Sequence, residues 1–114
     1  MKIKSDFVTN SSSTSFVITN LTNKIKTLKD FVNETPHIIQ EYLDDYGGDP
    51  NKFNQKKLLA SAELVDDQYI LEPGDNTVTF GDEQGTLIGQ VYDYMLRDGG
   101  TTKSFSWRFL EYNR

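Results

Sequence analysis

No cysteine occurs in the 114 residues. That removes disulfides, thiolate zinc sites and thiol nucleophiles together, and it suits a reducing cytoplasm. Histidine occurs once, at His37, so a Ser-His-Asp arrangement would have to use it. No G-x-S-x-G elbow accompanies it, and Ser11, Ser12 and Ser13 sit in a run with no spacing cue to a base, so His37 is expected to face solvent or to pack. Long apolar runs are missing too. Nothing approaches the roughly 20 residues needed to cross a bilayer, and no apolar stretch follows Lys2 and Lys4 before Phe16 as a secretory leader requires. A soluble chain is the expectation. Positive charge is scarce as well: 12 Lys and Arg against 17 Asp and Glu leave a formal net charge of -5. This opposes broad attachment to duplex nucleic acid or anionic membrane, which needs clustered cations. The local group Lys24, Lys26 and Lys29 reads as a solvated face.

What is present suffices for one domain over residues 1–114, since the chain is 36% hydrophobic and 12% aromatic. A strand is expected near Ile3 to Val8 and another near Phe16 to Thr19, with the hydroxyl and amide run between them as a loop, because short polar side chains compete for backbone hydrogen bonds. Thr27 can cap a short helix with Leu28, Phe31 and Val32 on one face, and Pro36 stops it. Thr35-Pro36 is a cap followed by a first-turn proline, with Ile38, Ile39, Tyr42, Leu43 and Tyr46 as an apolar stripe ended by Gly47-Gly48. Asp49-Pro50 repeats that pattern ahead of Phe53, Leu58 and Ala62. Tyr69-Ile70-Leu71 and Val78-Thr79-Phe80 around Pro73-Gly74-Asp75-Asn76 read as a hairpin. Gly85-Thr86 opens the clearest helix, with Leu87, Ile88, Val91, Tyr92, Met95 and Leu96 on its wide apolar face and Gly99-Gly100 as its stop. Strict alternation of Phe105, Trp107 and Phe109 with Ser104, Ser106 and Arg108 predicts a half-buried strand. The fold class is therefore α+β, a mostly antiparallel sheet with helices packed on one face. The two apolar faces, Leu87/Val91/Met95 and Phe105/Trp107/Phe109, are expected to meet.

Gly81-Asp82-Glu83-Gln84-Gly85-Thr86 before a helix invites a phosphate-loop reading, yet two carboxylates would repel phosphate and no lysine follows. Asp82 and Glu83 fit better as favourable charges beside a helix N-terminus, and are weak metal candidates only through a divalent cation. The paired carboxylates Asp44-Asp45 and Asp66-Asp67 match no EF-hand pattern. Phe105, Trp107 and Phe109 have the composition of a base-stacking platform, but a domain of this size needs them as core. No cofactor motif is present.

The opening Lys4-Ser5-Asp6-Phe7-Val8-Thr9-Asn10-Ser11-Ser12-Ser13 resembles the start of a group of small uncharacterised proteins of tailed bacteriophages and their bacterial hosts. Phe80-Gly81-Asp82-Glu83-Gln84-Gly85-Thr86-Leu87, Tyr94-Met95-Leu96-Arg97-Asp98-Gly99-Gly100 and Phe105-Ser106-Trp107-Arg108-Phe109 look like the C-terminal half of that family, while residues from Asn20 to Glu72 carry no such match. The resemblance implies no catalytic or ligand residues. With no catalytic constellation, the expected function is a non-catalytic protein-binding module of phage or mobile-element origin, either virion-associated or a host-directed effector. Its expected contact is the run Thr9, Asn10, Ser11, Ser12, Ser13, Thr14 and Ser15. The alternative is a small cation-dependent enzyme or nucleotide binder using Asp82, Glu83, Asp93 and Asp98.

Overall fold

The computed structural model describes residues 13–81 and 86–113, apart from the side chains of Gln68 and Asn113. The expected N-terminal strand, the part of the hydroxyl run from Thr9 to Ser12, and Asp82 and Glu83 lie outside the described residues. In order come β1 (Ser13–Asn20), β2 (Lys26–Thr27), α1 (Leu28–Glu34), α2 (His37–Tyr46), α3 (Gln55–Leu64), a 3-10 turn (Asp66–Gln68), β3 (Ile70–Leu71), β4 (Gly74–Gly81), α4 (Leu87–Met95), β5 (Gly100–Thr101) and β6 (Phe105–Asn113). The fold is α+β. A four-stranded antiparallel sheet runs β4-β1-β6-β5, a two-stranded sheet pairs β2 with β3, and the helices pack against the larger sheet.

β1 is central because alternation gives it a helix-facing row of Thr14, Phe16, Ile18 and Asn20, all at most 2% exposed. Phe16 meets the rings of Phe80 on β4 and Phe109 on β6 at 6.2 and 6.5 Å. A register shift between Ser15 and Phe16 against β6 sets Phe16 opposite Phe109 and Ser15 opposite Glu111, leaving Leu110 as a bulge. The expected loop is thus wrong for Ser13, Thr14 and Ser15, which form the first three positions of this strand. Cross-strand hydroxyl pairing overrides the turn preference of these residues: Ser15 bonds Thr79 at 3.0 Å, and Thr14 donates to Asp93 at 2.5 Å.

α1 starts as expected. Thr27 and Asp30 form a capping box, and Leu28, Phe31 and Val32 are fully buried. Phe31 stands edge-on to Tyr92, Phe105 and Trp107 at 5.6, 5.2 and 5.2 Å, which makes it the hub of the core. Thr35 does not cap α2. Its hydroxyl donates back to the Phe31 carbonyl at 2.8 Å and meets the buried Tyr92 hydroxyl at 3.3 Å, and Pro36 takes the cap position. Desolvation of that Tyr92 hydroxyl raises its pKa, opposed only by the bond to Thr35. Gly47, at φ +77°, ends α2 where a side chain would be strained.

Asp49-Pro50 opens a turn, and α3 begins five residues later under the Asn54 cap. The Asp49 carboxylate takes the Asn51 amide and its carbonyl takes those of Lys52 and Phe53, closing the chain on itself before a helix can propagate.

The expected hairpin does not form. β3 pairs with β2, while β4 spends its inner edge on β1. The Asn76 side-chain amide fastens the corner between them, accepting from the Glu72 amide and donating to the carbonyls of Glu72 and Gly74. That corner sends Leu71 into the core at 0% exposure instead of alongside β4.

α4 starts after Gly85-Thr86 as expected, with Thr86 as its cap, and it packs over β4, with Phe80 edge-on to Tyr92 at 5.3 Å. The aromatic row of β6 meets α1 through Phe31, and β1 separates β4 from β6. Both apolar faces belong to one core. Glu34, at the end of α1, accepts from the Thr102 hydroxyl at 2.5 Å and the Ser104 amide at 2.7 Å, tying the β5-β6 turn to the helix layer. Partial burial pushes the Glu34 pKa up, but the bonds from Thr102 and Ser104 and the charge of Lys26 outweigh it and hold it below the usual value.

Candidate functional site

α2 turns Ile38, Ile39 and Tyr42 inward. The same 3.6-residue period leaves His37, Glu41 and Asp45, four residues apart, as a stripe on its outer side, all exposed. Across from this stripe stand Tyr94, Met95 and Asp98 at the end of α4, then Gly99, Gly100, Thr101 and Trp107. Together they enclose a cleft of about 260 Å³. Tyr46 and Tyr94 close one end with rings 5.3 Å apart. The lining holds the carboxylates of Glu41, Asp45 and Asp98 and no lysine or arginine.

The nearest arginine is engaged elsewhere. Arg97 donates to the Asp93 carboxylate at 3.1 Å and to the Asp93 carbonyl at 2.8 Å, and its guanidinium lies over the Tyr94 and Tyr112 rings at 4.8 and 5.0 Å. Asp93 is 2% exposed and also takes the Thr14 hydroxyl, so the central strand, α4 and the Arg97 side chain share one carboxylate. Removing a partner from such a buried pair leaves an uncompensated charge, which makes this network structural. Asp98 lines the cleft while Asp93 does not, so the fold does not join these two into one site. Among the described residues no group of three or more His, Asp or Glu is placed to hold a metal ion.

Of the hydroxyl run, Ser13, Thr14 and Ser15 are 8, 1 and 4% exposed and belong to the sheet interior. His37 faces solvent at the cleft mouth. Phe105 and Trp107 are core, with only the rim of Trp107 reaching the cleft. Comparison with family models, curated proteins and solved structures returns no match for this chain. Its functional chemistry therefore has to be read from its own residues.

The Tyr94 ring already carries the Arg97 guanidinium and Trp107 is buried, so what the cleft offers an organic cation is charge-assisted hydrogen bonding from its carboxylates beside the exposed Tyr46 ring. The 4-residue stripe Glu41 and Asp45 was present in the sequence of α2, but its companions Tyr94 and Asp98 come from the other half of the chain. Asp93 and Arg97, at i and i+4 inside an apolar helical face, were the sequence signal for the buried pair.

Proposed function

We propose that this domain is a non-catalytic protein-binding module of phage or mobile-element origin, whose cleft receives an Arg or Lys side chain of a partner protein. The observation that carries the reading is the lining itself: the carboxylates of Glu41, Asp45 and Asp98 beside the exposed Tyr46 ring, with no Lys or Arg among the lining residues. The origin rests on the resemblance of the opening and C-terminal motifs. In a virion or bound to a host protein, the recognition chemistry is the same.

Trp107 is the single tryptophan and lines the cleft, so its emission reports occupancy. Titration with a hexa-arginine peptide should change that emission saturably at low ionic strength and progressively less as salt rises, because exposed charges are screened. Asp45→Asn and Asp98→Asn should each weaken binding by up to about fivefold, the equivalent of an exposed ion pair. No saturable change, or an equal response to a hexaglutamate peptide, would refute the assignment.

A further inference from the structure

Among the described residues β4 is an edge strand of eight residues, and its neighbours along the chain leave a trough of about 600 Å³ beside it, lined by Tyr69, Ile70, Glu72, Pro73 and the strand itself. Two separate bonds fix which backbone groups point outward. The Tyr69 hydroxyl donates to the Thr79 carbonyl at 2.9 Å from outside the sheet, and the Asn76 side chain reaches the Ile18 carbonyl, which is thereby directed toward β4. In an antiparallel pair both backbone groups of a residue point to the same side and alternate along the strand. Asn76, Val78 and Phe80 therefore bond β1, while Asp75, Thr77 and Thr79 present their amides and carbonyls to the trough. Thr77 and Asp75 are exposed, and neither Thr77 backbone group has a partner among the described residues.

Edge strands are normally guarded by shortness, bulges, proline or charge. The opposite edge is guarded in this way: β5 is two residues long, and beyond it β6 carries a bulge at Leu110 between Arg108 and Glu111. Over Asn76 to Phe80, Asn-Thr-Val-Thr-Phe, β4 carries no proline or charged residue, and the Tyr69 hydroxyl covers the Thr79 carbonyl.

We propose that this edge takes an extended strand of a partner protein by sheet addition, with a Lys or Arg of that strand set against Glu72 and Asp75. Backbone pairing supplies affinity in this mode and alternate side chains supply specificity. The trough lining has two carboxylates, no Lys or Arg, and an apolar wall in Ile70, 46% exposed. A strand alternating β-branched and basic residues complements it. A second copy of this chain fits less well. Pairing through the same edge, it would bring no Lys or Arg to Glu72 and Asp75, since the trough lining has none.

The test is a random-heptapeptide display library panned on the full 114-residue chain, followed by synthesis of an enriched peptide. Enriched sequences should alternate β-branched residues with Lys or Arg. N-methylation of alternate backbone nitrogens should weaken binding on the order of tenfold in one register and little in the other, since only one register faces β4. Amide exchange at Thr77 should slow by a similar factor on saturation. Glu72→Gln with Asp75→Asn should weaken the basic peptide while leaving its norleucine analogue unchanged, and that analogue, which offers the cleft no cation, should bind the parent and the Asp45→Asn/Asp98→Asn variant equally. The proposal is overturned by peptides indifferent to both N-methyl registers, by enrichment lost in the cleft variant, by no enrichment at all, or by a dimer in which Thr77 is already protected without peptide.

Discussion

Gly100→Ala is the most pointed perturbation of the architecture that shapes the cleft. A Cβ added at Gly100 would lie 2.4 Å from Trp107 Cζ2, 2.8 Å from Cε2 and 3.1 Å from Cη2. Carbon atoms are at rest about 3.5–4.0 Å apart, so more than about 1 Å of overlap must be relieved. The indole has little room to retreat, because it is 6% exposed and stands edge-on to Phe31 at 5.2 Å. Overpacking of this kind costs about 1–3 kcal/mol. At about 4 °C per kcal/mol for a domain of this size, the melting temperature should fall by roughly 4–12 °C. Far-UV circular dichroism melts measure this directly, and they remain usable in a rescue background that lacks the indole. Trp107→Phe removes all three overlapping atoms, so the double variant should show a favourable coupling of at least about 0.5 kcal/mol against the sum of the single changes. A melting temperature within a degree of the parent, or strict additivity in the cycle, would refute the packing of β5 on β6.

Phe31→Ala should cost about 3–5 kcal/mol, because it empties the site where α1, α4 and β6 meet; a denaturant midpoint shift below about 1 kcal/mol would contradict its place as hub. Glu34 has a folded-state pKa below its ordinary value of 4.5, so its contribution is fully present above about that pH and is lost as pH falls through the folded value. Glu34→Gln should therefore flatten the acid side of the stability profile below pH 4.5, and equal acid sensitivity of parent and variant would show that the Thr102 and Ser104 bonds do not favour the charged form.

The sequence by itself determined the local starts and the apolar faces. Thr27 and Thr86 are caps in the structure as the side-chain chemistry requires, and Leu28, Phe31, Val32, Ile88, Val91, Tyr92, Phe105 and Trp107 are buried where period 3.6 or period 2 places them. These features depend on residues within one or two turns of each other, so a linear pattern contains all the information needed. The α+β class follows from the same patterns.

Tertiary structure alone decided which strand pairs with which, and so decided the site. Pro73-Gly74 is compatible with a hairpin in isolation, but the Asn76 amide and the demand of the core for Leu71 turn the chain through a corner and leave β4 unpaired on its outer edge among the described residues. Ser13, Thr14 and Ser15 favour a loop by local preference, and become central strand because Thr79 and Asp93, more than sixty residues away, satisfy the hydroxyls of Ser15 and Thr14. Asn20 reads as the start of a polar connection, yet it is 2% exposed and bonds Thr22, Lys24 and Leu71. The cleft likewise exists only because α2 and the end of α4 are brought side by side, setting Glu41 and Asp45 opposite Asp98. Each of these outcomes turns on a hydrogen bond or a packing contact between distant segments, and the free energy of a long-range contact depends on a chain already folded to make it.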